Sequence, residues 1–245
     1  MATPATEHAH SHEEHAHGHG AGHDHGHHPQ SFWSKYVFSV DHKMIGMQYM
    51  FTGLFMGIIG AYFSYVFRMQ MAYPGHHVPG YGVVSPGEYN TLITNHGTIM
   101  IFWLAMPVLI AAFGNFLIPL MIGCDDMVFP RLNRLSYQIF LLSAIVLIAS
   151  WFVPGGGFAG AWTAYPPLSA KSQYNLTPLG STLWVIAVAL EFVAFLIGGI
   201  NFVTTAMNSR APCMKLFDIP MVIWMIVAFD PIGAGSLDLK EALLA

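Results

Sequence analysis

The chain has 245 residues, of which 54% are hydrophobic and only 9% are charged. Because an ordinary soluble domain carries about 25% charged residues, this composition is typical of an integral membrane protein. The 9 basic residues are too few and too scattered to form a nucleic-acid surface, and no phosphate-binding glycine loop occurs. We therefore expect an all-α, polytopic transmembrane helix bundle in the lipid bilayer, with no nucleic-acid partner.

The first 30 residues differ from the rest of the chain. They hold ten of the 14 histidines, among glycine, alanine and acidic residues. Such a segment has almost nothing to bury and is predicted to be a disordered tail. Histidine-rich tracts bind zinc, copper or nickel loosely. The tail is therefore either a solvated extension with incidental metal affinity or a metal-delivery segment.

Four apolar stretches are long enough to cross a membrane, which takes about 20 helical residues. They cover about residues 44–67, 92–122, 136–153 and 181–207. A fifth apolar run, Ile219–Phe229, has only eleven residues before Asp230 and is predicted not to complete a crossing. The predicted organisation is a tail (1–30), a partial helix bundle with four full spans and a truncated fifth (31–229), and a short C-terminal segment (230–245).

The basic residues are distributed unevenly between the two sides of this predicted bundle. The side before the first span, after the second and after the fourth carries six: Lys35, Lys43, Arg131, Arg134, Arg210 and Lys215. The complete loops of the opposite side carry two, Arg68 and Lys171. By the positive-inside rule, the N-terminus faces the cytoplasm. Cys124 and Cys213 then lie on the cytoplasmic side, where we expect free thiols.

His96 lies within the second apolar stretch, where no charged residue occurs between Glu88 and Asp125. An ionisable side chain inside a membrane helix is costly without a partner, so it is a functional candidate. Imidazole is the common axial ligand of haem iron and also binds copper and zinc. The alternative is a histidine bonded to a neighbouring helix. Gly97 follows directly and leaves room for a flat macrocycle beside the helix.

Six segments around His96 occur in one order along the chain: DHKMIGMQYMFTG, FRMQMAYPG, YNTLITNHGTIMIFW, FGNFLIPLMIGCDDMVFPRLNRLSY, AWTAYPPLSA and INFVTTAMNSRAPCMKLF. This series closely resembles the N-terminal half of the catalytic subunit of haem–copper oxidases, subunit I of aa-type cytochrome c oxidase. The resemblance covers about residues 35–225.

The resemblance implies roles for three residues on the haem side. His96 corresponds to an axial ligand of the low-spin haem, which is expected to be a-type. Arg68 corresponds to the arginine that hydrogen-bonds the formyl group of that haem, and its guanidinium is suited to this because it stays charged and has several donors. Trp162 corresponds to a tryptophan near the haem propionates. Without the resemblance, Arg68 would be a snorkelling arginine and Trp162 an interfacial tryptophan.

The resemblance also implies a proton pathway. Asp126 corresponds to the acid at the cytoplasmic mouth of the D proton channel, and Asn115 and Asn133 to asparagines at its entrance. The residues themselves agree with this role, since carboxamides bond water without trapping a charge. From the residues alone, Asp126 would be a solvated loop aspartate beside Asp125.

Three positions depart from the family pattern in the fourth span. Glu191 stands at mid-helix, where the family more often has a small polar residue. Ala194 and Phe195 occupy places where the family usually has hydroxyls. Glu191 is therefore either a substitute proton carrier or a protonated acid bonded to a neighbouring helix.

Outside the tail, the chain contains only four histidines, and three of them, His42, His76 and His77, are expected in loops. The resemblance implies that the second low-spin haem ligand, the high-spin haem ligand and the copper ligands belong to later helices of the family. Copper and high-spin haem are therefore expected only in the complete family member, and these 245 residues alone are not expected to reduce oxygen.

The predicted function is thus that of a fragment of a terminal respiratory oxidase. The complete family member reduces oxygen to water with electrons from cytochrome c or quinol and translocates protons, beside subunits II and III in the inner (cytoplasmic) membrane. One alternative is a truncated, non-catalytic haem-binding or assembly component. A less favoured one is a metal delivery or transport protein, which needs several intramembrane ligands, whereas this chain offers His96 and Glu191.

Overall fold

The computed structural model describes residues 36, 38–171, 177–212 and 214–235. The predicted tail, Lys35, Cys213 and most of the segment 230–245 lie outside the described residues. The described part forms five helices: α1 (His42–Ala72), α2 (Pro86–Ile122), α3 (Pro130–Ser150), α4 (Pro178–Asn208) and α5 (Met221–Gly235). A short 3-10 turn, Leu216–Asp218, precedes α5. The predicted all-α class is confirmed.

Helices α1 to α4 are each long and apolar enough to cross a membrane, with 31, 37, 21 and 31 residues. The four predicted spans are therefore confirmed, and the chain is a multi-pass membrane protein. Each helix begins two to six residues before its predicted apolar stretch, because polar caps and prolines start helices before the apolar residues do. Asp41 caps α1, Ser85 and Glu88 form a capping box on α2, and α2, α3 and α4 each begin with proline.

Helix α5 continues further than the predicted run. It passes through Asp230 and Pro231 to Gly235, whereas the apolar run ends at Phe229. Its 15 described residues remain fewer than the roughly 20 that a crossing needs. It packs against the ends of α4 and α2 through a cluster that includes Ile223 and Phe202.

Helices α3 and α4 contact each other extensively. Three serines of α3 at seven-residue spacing, Ser136, Ser143 and Ser150, are fully buried, and each hydroxyl donates to the carbonyl three residues earlier. On α4, a Cβ at Gly198 would lie 3.9 Å from Ser136 Oγ. Small residues let membrane helices approach closely, so this face brings polar groups of both helices together.

The middle of α2 is π-helical over Ile99–Ala105 and Pro107–Ala112. Pro107 has no N–H to give to an α-helical bond, and π-helical turns within α-helices are frequent at functional sites. Trp103 lies in the first π-helical turn and is completely buried among α1, α3 and α4. The π-helical stretch therefore separates His96 from Asn115 on the same helix.

The outward faces of the spans are apolar. Phe51 and Ile58 of α1 are about two-thirds exposed, and Leu142 and Leu196 of α3 and α4 are about half exposed. In water such a surface would be unfavourable, whereas lipid tails are as apolar as leucine. The bundle is thus polar at selected internal positions and apolar on its surface.

Candidate functional site

His96 is held by α1. Its Nδ1 lies 2.9 Å from the carbonyl oxygen of Gly60, and the ring of Phe67 meets it edge-on at 5.4 Å between centroids. Because a carbonyl only accepts, Nδ1 must carry the hydrogen, and the lone pair of the neutral ring is then on Nε2. The imidazole is half-buried. This is the arrangement in which a histidine is oriented as a metal ligand through its second nitrogen.

Trp162 lies against Gly97, the residue after His96. A Cβ at Gly97 would be 3.1 Å from Cδ1 of the indole, so any larger residue would displace the tryptophan. The loop of Trp162 is anchored to α2 because Ala161 N donates to Thr94 Oγ1 at 3.0 Å. Ala161 also has a φ of 65°, a left-handed conformation that is uncommon outside glycine. The structure thus brings Trp162 against Gly97, one residue after His96, and the missing side chain of Gly97 accommodates the indole.

Arg68 lies near the end of α1, one residue after Phe67. Its side chain is exposed and makes no hydrogen bond or ion pair with another described residue. Its guanidinium donors are therefore not used by the described part of the chain. The structure brings Arg68 to the side of the bundle that carries His96, but not into contact with the imidazole.

Asp126 lies in the loop between α2 and α3 and contacts the start of α1. Its Oδ1 accepts from Met127 N at 2.7 Å and lies 3.0 Å from Nδ1 of His42. Asp126 has a side chain that is 42% exposed, whereas that of His42 is 5% exposed. His42 Nε2 is buried and has no hydrogen-bond partner in the described part of the chain. The accessible carboxylate of Asp126 is therefore in direct contact with the buried imidazole of His42.

The expectation that His42 lies in a loop is wrong. It is the first residue of α1, because Asp41 caps the helix one residue earlier by accepting from Lys43 N at 2.8 Å. The cap turns His42 inward, beneath the Asp126 loop.

Asn115 and Asn133 form a buried pair between α2 and α3. Asn133 Nδ2 donates to Asn115 Oδ1, and Asn115 Nδ2 donates to the carbonyl of Ala111 at 2.8 Å. Ser136 continues the polar contacts one turn further, since it donates to the Asn133 carbonyl at 2.7 Å and accepts from Tyr49 OH at 3.0 Å. Asn133 Oδ1 has no partner among the described residues. A neutral polar column thus continues inward from the Asp126 end.

Glu191 is buried between α4 and α3, with 2% exposure. Its Oε2 is 3.3 Å from Ser143 Oγ, and Ser143 also accepts from Trp103 Nε1 at 3.1 Å. A small cavity lined by Asn115, Ser136 and Glu191, among others, has room for about one water molecule. We refer to Asp126, His42, Asn115, Asn133, Ser136 and Glu191 as the Asp126–Glu191 path.

The family model of Cytochrome C and Quinol oxidase polypeptide I matches residues 44–234. The chain belongs to this family. The resemblance to haem–copper oxidase subunit I is thereby confirmed. The matched range ends one residue before the end of α5 and five after the predicted bundle boundary at 229. The division of the chain into three segments stays a prediction.

Three relatives, each a cytochrome c oxidase subunit 1 by name, illustrate the match. The chain is 37% identical over 219 residues to the alternative cytochrome c oxidase subunit 1 of Bradyrhizobium diazoefficiens, covering 86% of this chain and 36% of the relative. It is 42% identical over 202 residues to the cytochrome c oxidase subunit 1 of Synechocystis sp., covering 82% of this chain and 34% of the relative. It is 35% identical over 245 residues to the cytochrome c oxidase subunit 1 of Cereibacter sphaeroides, covering 86% of this chain and 42% of the relative. The chain thus spans 34–42% of the length of these relatives.

Three buried polar residues in and around the path could not be assigned a role from the sequence. The sequence gives no role to Tyr49 or Ser136, although serines repeating every seven residues in an apolar helix are a usable signal. Asn201 was not predicted either; its Oδ1 accepts from Phe129 N at 3.0 Å, while its buried Nδ2 has no partner among the described residues. No local pattern could have paired His42 with Asp126, which are 84 residues apart.

Proposed function

We propose that this chain forms part of the catalytic subunit of a terminal oxidase, which reduces oxygen with electrons from cytochrome c or quinol and translocates protons. It would act with subunits II and III in the inner membrane, with its N-terminus in the cytoplasm. Family membership and four membrane-length helices support this proposal. The observation that carries it is the hydrogen bond from His96 Nδ1 to Gly60, which leaves Nε2 as the available ligand atom.

His96 would hold a low-spin haem, a-type by family resemblance, through Nε2. The residues present fit this group, because a neutral imidazole fixed by a backbone carbonyl is a good iron ligand. Haem, when bound, supplies one-electron transfer. Arg68 has unused donors for an oxygen substituent of the macrocycle, and Trp162 would cover the ring edge beside Gly97.

Asp126 would collect protons at the cytoplasmic surface and pass them along the Asp126–Glu191 path. Three buried polar atoms support water in this region: His42 Nε2, Asn133 Oδ1 and Asn201 Nδ2 have no hydrogen-bond partners among the described residues. Buried polar groups are normally satisfied, and ordered water is the usual partner when protein atoms are not. Asparagine and serine can orient such water without holding a charge.

The orientation is supported by the contact between His42 and Asp126. It joins the start of α1 to the loop after α2, so the ends of the spans near Lys43, Arg131 and Arg134 lie on one side. Because basic residues favour the cytoplasmic side, Asp126 would open there.

The test uses the complete oxidase reconstituted in vesicles with its other subunits. We expect cyanide-sensitive oxygen consumption with reduced cytochrome c or quinol. Asp126→Asn should retain the haem spectrum and lose proton uptake from the cytoplasmic side, whereas His96→Ala should lose the low-spin haem. If both variants match the parent protein in both measurements, the proposal is wrong.

A further inference from the structure

Glu191 is an acid in the middle of the 31-residue helix α4. Glu191 is 2% exposed, lies within hydrogen-bond distance of Ser143 and lines the cavity, and no basic side chain of a described residue pairs with it. An ionisable group at this depth is costly, so its partner must explain how it is tolerated.

Ser143 is that partner, and its single hydroxyl hydrogen cannot bond both of its acceptors at once. Ser143 Oγ is 2.6 Å from the carbonyl oxygen of Phe140 and 3.3 Å from Glu191 Oε2, and it accepts from Trp103 Nε1. A hydroxyl has one hydrogen and two lone pairs. Its hydrogen is therefore directed either to Phe140 or to Glu191.

These two hydroxyl orientations match two protonation states of Glu191. When the carboxyl is neutral, it donates to Ser143 Oγ, and the Ser143 hydrogen remains on the Phe140 carbonyl. When the carboxyl is ionised, the Ser143 hydroxyl turns and donates to it. Trp103 donates to Ser143 in both cases, so the oxygen stays in place. Ser143 can thus form a hydrogen bond with Glu191 in either protonation state of the carboxyl.

The cavity supplies the connection to the rest of the path. It is lined by Asn115, Ser136 and Glu191, and by Ala194 and Phe195. Neither Ala194 nor Phe195 can hydrogen-bond through its side chain, and Glu191 is the only carboxyl group among the described residues that line the cavity. A water molecule in this cavity would lie among Asn115, Ser136 and Glu191, which share its lining.

We propose that Glu191 is the proton-relay group at the inner end of the Asp126–Glu191 path, and that the Ser143 hydroxyl turns between Phe140 and Glu191 as the proton arrives and leaves. A proton carried by cavity water moves to the Glu191 carboxylate, giving a neutral acid and leaving water. Release reverses this step. The inference rests on the proposed function in one respect, namely that protons enter at Asp126.

Glu191→Gln in the complete oxidase tests the relay, because glutamine keeps the shape and a hydrogen bond to Ser143 but carries no proton. Proton uptake should slow by roughly 100-fold, the lower end of what a positioned acid or base contributes, while haem content stays the same. Glu191→Asp should restore part of the rate. The matched control is Glu88→Gln in the exposed capping box of α2, where glutamine also suits the cap, and the rate should be unchanged. Uptake by Glu191→Gln as fast as in the parent protein would overturn the inference.

Infrared difference spectroscopy during turnover provides a measurement independent of rate. A carboxyl C=O band should appear and disappear with turnover, be absent in Glu191→Gln, and shift in frequency in Ser143→Ala. A Glu191 band that never changes would mean a permanently protonated acid and would also overturn the inference.

Asp126→Asn separates this inference from the proposed function. If Asp126→Asn slows uptake and Glu191→Gln does not, only the relay is wrong. If Glu191→Gln slows uptake and Asp126→Asn does not, the relay stands and the proposed entrance is wrong.

Discussion

Replacing His96 with alanine should remove the low-spin haem from the assembled oxidase and leave the helix bundle folded. The variant loses the 2.9 Å hydrogen bond to Gly60 and the edge contact with Phe67. Interhelical hydrogen bonds in membranes average about 0.6 kcal/mol, so this loss is small against a folding free energy of about 5–15 kcal/mol. Ligation, in contrast, should be lost completely, because the other described histidines, His42, His76 and His77, lie near the ends of the spans.

The assay is the reduced-minus-oxidised absorbance of the purified oxidase, with haem quantified after denaturation and the unfolding temperature measured in parallel. His77→Ala is the matched control, since this histidine is exposed in the loop between α1 and α2. The control should keep the full low-spin absorbance. An undiminished low-spin band in His96→Ala would refute the assignment of the ligand.

The other expectations concern the loop between α2 and α3 and the packing of α4. Asp126→Asn should slow proton uptake by vesicles with no change in haem absorbance; an unchanged uptake rate would contradict the entrance assignment. Burial raises the pKa of the half-buried Cys124 thiol, and the nearby carboxylates Asp126 and Asp125 raise it further. In a Cys213→Ser background, alkylation of Cys124 should therefore be slow at neutral pH and accelerate as the pH rises. Asp126→Asn should accelerate the alkylation at fixed pH, because it removes one of the carboxylates that raise the thiol pKa. An alkylation rate that does not depend on pH would contradict this expectation. Gly180→Ala would place a methyl group 2.1 Å from a backbone carbonyl oxygen of the preceding loop. We therefore expect a destabilisation of about 1–3 kcal/mol and a lower unfolding temperature. An unfolding temperature equal to that of the parent protein would contradict this expectation.

The helices could be located from the sequence because their signals are local. Each span is an apolar stretch of sufficient length, and its start is marked by Asp41, by Ser85 with Glu88, or by a proline. The structure differs from the predicted stretches in two ways. The helices include polar first turns that precede the apolar stretches, and α5 continues beyond the predicted apolar run through Asp230 and Pro231.

The candidate site was predictable only in part. His96 was identifiable because an ionisable residue in an apolar helix is unusual wherever it occurs. Its partner, the Gly60 carbonyl, was not, because every backbone carbonyl is the same acceptor in the sequence. The role of Ser143 beside Glu191 was hidden for a similar reason, since a serine in a membrane helix often bonds only its own backbone.

The sequence by itself therefore determined the class of protein, the number of spans, the family and the unusual residues within the spans. Hydropathy and capping depend on neighbouring residues, so they can be assigned without knowing how the helices pack. Only the tertiary structure decided which polar groups meet: His42 with Asp126, Asn115 with Asn133, and Ser143 with Glu191. These contacts depend on the rotation of each helix about its axis. In α2 the π-helical turns change that rotation between His96 and Asn115. The direction of the Asn115 side chain therefore cannot be derived from that of His96 with the α-helical period of about 3.6 residues per turn.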